Sequence, residues 1–134
     1  MAHITVAERL NAPAGKVWDL VGRFDSVHTW LPGVKTLTMK GDKVRELILD
    51  GGGTITEELL SDNPSLRSYT YSIVGGMPVT GHVSTLMVVD EGPDASMVSW
   101  ACTYSVTGSP EDEVRKSIGD FYRGGLANLK NKFK

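Results

Sequence analysis

Arg45 and Glu57 are the residues of this chain whose type and spacing best suit chemistry. Alternate side chains of a strand point to opposite faces; Arg45 alternates in step with Leu47 and Leu49, and Glu57 with Ile55 and Leu59. Each charge is therefore expected on an apolar, inward face. The opposite assignment, with Val44 and Ile48 inward, would bring in Glu46 in place of Arg45. A buried, unpaired charge costs several kcal/mol, so opposite charges on neighbouring strands should pair or meet a polar ligand or water. Inside a cavity such a pair could orient the polar end of a bound molecule. Alternatively, Glu57 could shuttle a proton while Arg45 stabilises developing oxyanion charge. A rim salt bridge is the plainer reading, and a register slip or bulge would reverse either assignment.

The same parity places other side chains. Tyr69 and Tyr71 share a face with Ile73, and Trp100, Cys102 and Tyr104 share one with Val98 and Val106, so both sets are expected inside. Trp30 and Trp100 are placed to line a cavity, whereas Trp18 reads as packing beneath the sheet. Lys35 opens a strand, either as a solvated edge lysine or reaching inward by snorkelling. His82 follows Gly81 in a long strand whose alternation leaves its direction open. No metal and no cofactor are expected, because His3, His28 and His82 are far apart and lack metal-ligand spacing. Gly51-Gly52-Gly53 lacks the helix and the Gly-Lys-Ser/Thr ending of a phosphate loop, and reads as a flexible lid at a cavity mouth. Cys102 reads as a small core hydrophobe, and no serine stands in a nucleophile elbow. Proton transfer is the chemistry that remains.

These residues need elements to hold them. His3 to Leu10 alternates as a strand until Asn11-Ala12-Pro13 stops it and opens a helix carrying Val17, Trp18, Val21 and Phe24. Asp25 can cap a second short helix with Val27, Trp30 and Leu31, ended by Pro32-Gly33. Six strands follow, at about 34–40, 44–50, 54–61, 68–74, 79–89 and 96–107, separated by short turns that favour an antiparallel meander. The last element is a long helix with Ser109 as N-cap and Pro110 at its first position. Its broad apolar stripe includes Val114, Ile118, Tyr122, Leu126 and Leu129. Glycine inside a helix costs about 1 kcal/mol against alanine, so Gly124-Gly125 suggests close approach or ligand space there. The class is α+β, with a curved antiparallel sheet around a terminal helix and an enclosed space between them.

At 134 residues the chain fits one domain, 1–134, with enough length for a substantial core. A net charge of -2 with scattered basic residues excludes the electrostatic footprint of a nucleic-acid binder. No apolar run reaches the roughly 18 to 20 residues of a membrane span. Cys102, the single cysteine, has no intramolecular partner, and the N-terminus starts on strand-like alternation in place of a signal peptide, so the cytoplasm is the expected location.

The order of these segments resembles the START-like superfamily, also called Bet v 1-like or the polyketide cyclase/dehydrase and lipid transport family. The resemblance rests on PAGKVWDLVGRF at 13–24, HTWLPGV at 28–34, Val44-Arg45, Thr56-Glu57-Glu58-Leu59, SYTYSIV at 68–74, Ser99-Trp100, and Tyr122 with Gly125-Leu126. It spans essentially the full length. Within the superfamily the chain is most similar to the branch of bacterial MxaD-like proteins, plant abscisic acid receptors and lachrymatory factor synthase. The resemblance implies a helix-grip of seven strands, and a pocket-lining Arg and Glu at the positions of Arg45 and Glu57. It further implies pocket-facing positions at Lys35, Tyr71, His82, Cys102 and Tyr122. His82 stands where the receptors have a tyrosine, and Cys102 where they have an acidic residue. Gly51 to Gly53 replaces their proline-bearing gate, and Met77-Pro78 their latch, so hormone recognition is not implied.

The expected partner is a small hydrophobic or aromatic ligand, held among Trp30, Lys35, Tyr69, Tyr71, His82, Trp100, Cys102, Tyr104, Ile118 and Tyr122, with Arg45 and Glu57 at its polar end. A cyclase, dehydratase or isomerase with Arg45 and Glu57 catalytic is the alternative. A protein-interaction module would need an exposed apolar patch, and a homodimer is allowed.

Overall fold

The alternating segments become strands and the two helical stripes become helices in a computed structural model that describes residues 1–134. Strand β1 (Ala2–Leu10) leads to helix α1 (Ala14–Val21) and a single 3-10 turn at Val27–Thr29. Strands β2 (Val34–Met39), β3 (Val44–Leu49), β4 (Thr54–Asn63), β5 (Ser68–Gly75), β6 (Val79–Asp90) and β7 (Ser96–Val106) follow, and α2 (Glu111–Lys132) closes the chain. They form one seven-stranded antiparallel sheet in the order β1-β7-β6-β5-β4-β3-β2, so each successive strand from β2 to β7 pairs with the next and β1 closes against β7. This is the expected α+β helix-grip.

Helix α2 buries Val114, Ile118, Gly119, Tyr122, Gly125, Leu126 and Leu129 against the sheet. All of these but the two glycines join Trp30, Tyr69, Tyr71, Trp100 and Tyr104 in one core cluster of 28 buried residues drawn from all seven strands and both helices. No helix is long and apolar enough to cross a membrane.

Local capping departs from the sequence expectations. The second helix shrinks to three residues without a side-chain cap. Asp25 instead takes two bonds from Arg23, while Ser26 Oγ donates to the carbonyls of Leu20 and Arg23. Helix α2 starts one residue later than expected, with Pro110 as its uncapped N-cap residue. Three acidic side chains in its first turn, Glu111, Asp112 and Glu113, complement the positive helix end in place of a Ser109 cap.

The glycine pair in α2 also resolves differently from a hollow. A Cβ on Gly125 would lie 2.9 Å from Leu31 Cδ1 and 3.1 and 3.2 Å from the rings of Trp30 and Trp100. Gly125 therefore serves close packing against the 3-10 segment, whereas a Cβ on Gly124 would meet nothing within 4 Å.

Candidate functional site

The β3-β4 register sets Arg45 directly opposite Glu57, both on the inward face. Arg45 is 1% exposed and Glu57 5%. Arg45 Nε donates to Glu57 Oε1 at 2.8 Å, one terminal guanidinium nitrogen forms an ion-pair contact with the same oxygen at 2.7 Å, and the other donates to the Phe24 carbonyl at 2.7 Å. The guanidinium also lies over the Phe24 ring, 4.0 Å from its centroid, with Tyr71 at 5.0 Å and Tyr69 at 5.8 Å. A charged plane stacked on aromatic faces and forked onto a carboxylate is the arrangement arginine suits best.

The Arg45 hydrogen bond and its closest ion-pair contact both fall on Oε1, and no protein group hydrogen-bonds Glu57 Oε2. Glu57 lines a cavity of about 30 Å³ whose other walls include Leu47, Ile55, Tyr71, Trp100, Ile118 and Tyr122. Among the side chains lining this cavity, Glu57 alone is charged. A volume near 30 Å³ is about the share of one water, and ligand pockets run to hundreds of Å³. A bound molecule therefore requires the half-buried side chains of the cavity wall, Leu49, Met77 and Phe121, to move aside.

The hydroxyls of the two cavity-lining tyrosines are tied to neighbours, whereas those of Tyr69 and Tyr104 are buried without a hydrogen-bond partner. Trp100 Nε1 donates to Tyr71 Oη at 3.0 Å, and Tyr122 Oη bonds Ser84 Oγ at 2.6 Å. The Trp100 and Tyr122 rings stack with centroids 4.1 Å apart at 7°, and Trp30 tilts against the far side of this pair, 5.4 Å from Trp100. These bonds fix the aromatic walls.

Burial sets the protonation pattern. It pushes the Glu57 carboxyl above its usual value, with the Arg45 charge pulling the other way. Burial opposes the Arg45 charge too, but Tyr69, Glu57 and Tyr71 outweigh it and hold the guanidinium above its ordinary pKa. Burial first, and then the Glu57 charge, raise Tyr71; burial and Tyr71 raise Tyr122, so both phenols keep their protons. The site thus holds a permanent cation behind a carboxyl of elevated pKa, faced by neutral phenols.

The expected site residues separate into groups. Glu57, Tyr71, Trp100, Ile118 and Tyr122 line the cavity together. Arg45 does not; it stands behind Glu57 with every guanidinium nitrogen engaged. Tyr69 and Trp30 are buried beside the site, against Phe24 and Trp100 respectively. Cys102 and Tyr104 are buried further along β7. Lys35 is exposed and off the cavity, because a register shift between Val34 and Thr36 turns its side chain outward while Val34 takes the inward place.

His82 turns inward, 1% exposed, at another shift, between Thr80 and Val83, where Gly81 adopts φ 61°. Its Nδ1 accepts the Ile73 backbone N–H at 2.9 Å, so the neutral ring carries its proton on Nε2. This side-chain bond takes the place of the β5-β6 ladder, whose pairing ends at Tyr71 and Ser84.

Sequence reasoning did not assign Leu31, Val34, Leu47, Leu49, Ile55 or Ile73 to the cavity, nor Met77 and Phe121. Leu47, Leu49 and Ile55 share the parity of Arg45 and Glu57, and Phe121 precedes Tyr122 on the same helix, so pattern carried those. Met77 lies in a turn and has no periodic signal.

Comparison with known proteins agrees with this architecture. The chain is similar to the protein XoxI from Bacillus cereus at 33% identity, covering 99% of this chain and 96% of that one with a TM-score of 0.94. It is similar to an uncharacterized Bacillus thuringiensis protein at 32% identity, 98% coverage of both chains and a TM-score of 0.92. The Zhui aromatase/cyclase from Streptomyces sp. R1128 shares the fold, with 14% identity, 98% and 92% coverage and a TM-score of 0.79. Residues 1–134 match throughout the family described as polyketide cyclase / dehydrase and lipid transport. The chain therefore belongs to this family, within the START-like superfamily that its helix-grip and segment order resemble.

Proposed function

We propose that the protein, as one domain spanning 1–134, binds a small apolar or aromatic molecule between its sheet and α2, and that Glu57 Oε2 accepts a hydrogen bond from that molecule's O–H or N–H group. The observation that carries this reading is the one-sided engagement of Glu57: Arg45 occupies Oε1 and leaves Oε2 free in an otherwise uncharged wall. Arg45 is spent on Glu57 and Phe24, so a ligand carboxylate would meet the carboxyl of Glu57, not the guanidinium. The favoured ligand is thus a phenol, enol, alcohol or amide, not an aromatic or fatty acid. Tyr71, Trp100 and Tyr122 supply its flat apolar contact. The free, buried thiol of Cys102 fits a reducing compartment, and we place the protein in the cytoplasm.

Native mass spectrometry of the purified protein, followed by denaturing extraction, tests this. A released neutral molecule bearing a donor group is expected; a released carboxylic acid would count against the role given to Glu57.

A catalytic reading draws on one further observation, the elevated pKa of Glu57, which suits a group that takes a proton from a bound enol or α-carbon and returns it. Arg45 then acts by holding the carboxylate in place. On this reading Glu57→Gln keeps affinity for the extracted molecule within about threefold while turnover falls at least about a hundredfold, as loss of a general base does.

A further inference from the structure

His82 brings a polar group to the inner face of the sheet that no other side chain uses. Glu57 pairs with Ile73 in the β4-β5 ladder, and His82 of β6 holds the Ile73 backbone N–H. Glu57, Ile73 and His82 therefore lie at one level on three successive strands. The irregular stretch at Gly81 turns the His82 side chain inward, and irregularities of this kind re-aim a side chain at the cost of ladder bonds. The bond to Ile73 accounts for Nδ1 alone. Nε2, which carries the proton, has no hydrogen-bond partner in a residue only 1% exposed. Tyr104 stands opposite on β7 and supplies no acceptor, its own hydroxyl being buried and unpartnered. A buried donor left unpaired costs stability, so native folds keep few of them and each calls for a reason.

We propose that His82 Nε2–H is a second polar anchor of the ligand site, donating to a carbonyl oxygen at the far end of the molecule whose donor group meets Glu57. This rests on the reading of Glu57 given above, and it narrows the ligand to a hydroxy ketone or its like. The imidazole borders the cavity: its ring centroid is 6.0 Å from that of Tyr71 and its Nδ1 holds Ile73, and both of those residues line the cavity. Met77, half-buried in the cavity wall, lies in the connection 74–81 whose base is Ile73 and His82. The displacement of Met77 that admits a ligand thus extends the cavity along the inner face toward His82. Burial lowers the His82 pKa to about 4, so at neutral pH the ring offers one N–H and no charge, which suits a neutral carbonyl. With strands about 4.8 Å apart, the Glu57 and His82 backbones are about 10 Å apart. Both side chains reach inward from there, and a fused two-ring molecule with its oxygens on different rings spans what remains.

Isothermal titration calorimetry of the full chain with 7-hydroxy-1-tetralone and 5,6,7,8-tetrahydro-2-naphthol, which differ only by the carbonyl, tests this. The hydroxy ketone is expected to bind the wild type at least about tenfold more tightly, as pairing a stranded donor should give. In His82→Asn the two affinities are expected to come within about twofold, because the shorter amide can still accept from Ile73 N–H but does not reach the Nε2 position. A general loosening of the fold cancels, since the two molecules are compared within each variant. The wild type gives a readout independent of any variant: the His82 Nε2–H proton resonance should move downfield with the ketone and not with the naphthol. Equal affinity of the wild type for the two molecules, or a preference that survives in His82→Asn, would overturn the role of His82 and leave that of Glu57 standing. Binding of neither molecule would overturn both.

Discussion

At the scale of single residues, the structure rests on one buried ion pair whose two members do different work. Removing either partner strands the other in a low-dielectric interior, so Arg45→Met and Glu57→Leu should each lower unfolding stability by about 3 to 5 kcal/mol. The double variant should recover most of that loss, because apolar residues of similar volume often replace a buried pair at no net cost. Urea denaturation of the three variants checks this, and a double variant as unstable as the sum would show that the two residues stabilise the fold independently and not as a pair. His82 provides a pH signature. Burial lowers its pKa to about 4 from 6.5, so between those values the unfolded chain takes up a proton that the folded chain refuses. The stability His82 confers is complete above pH 6.5 and is lost as pH falls toward 4, amounting to about 2 kcal/mol by pH 5. Glu57, whose folded pKa is raised, contributes with the opposite sign, so the comparison that isolates His82 is wild type against His82→Leu. The variant should start lower at pH 7, with Ile73 N–H unpaired, and the gap should narrow by about 2 kcal/mol at pH 5.

At the scale of elements, the two adjacent glycines of α2 make opposite predictions. Gly124→Ala places a methyl in open space and should stabilise the protein by about 0.5 to 1 kcal/mol through helix propensity. Gly125→Ala gains the same propensity but presses on Leu31, Trp30 and Trp100, at an overpacking cost of about 1 to 3 kcal/mol, so it should be neutral to destabilising. Thermal melts of the two variants moving in the same upward direction would contradict the packing role of Gly125. This pair also shows where the sequence stopped being readable. Strand parity correctly turned Arg45, Glu57, Tyr71 and Trp100 inward, because alternation is a local property of the chain. It could not say whether the space beside Gly125 is filled, since that depends on Leu31 and Trp30, nearly a hundred residues away. Lys35 and His82 lay beyond it for another reason: both sit at register shifts, where alternation fails. Nor does parity show which oxygen of Glu57 an arginine will occupy, the detail on which the proposed ligand selection rests.

At the scale of the whole molecule, a sheet wrapped on a helix leaves a cavity of about 30 Å³ in this conformation, so binding and opening are coupled. The half-buried Leu49, Met77 and Phe121 are the wall side chains able to yield, while the stacked Trp100 and Tyr122 behind them are fixed by hydrogen bonds to Tyr71 and Ser84. Enlarging the cavity wall without touching the polar end should therefore favour entry, and Phe121→Ala should tighten binding of 1-naphthol, read by fluorescence titration. The proposed selection of donor-bearing ligands over acids by the free oxygen of Glu57 can be read directly in solution. Trp100 lines the cavity and its Nε1–H is held by cavity-lining Tyr71, so its indole N–H resonance in the ¹⁵N-labelled protein reports on occupancy. Titration with 1-naphthol should shift that resonance in the wild type and much less in Glu57→Leu, and 1-naphthoate should leave it in place. A larger shift with naphthoate, or a naphthol response indifferent to the loss of Glu57, would contradict the account.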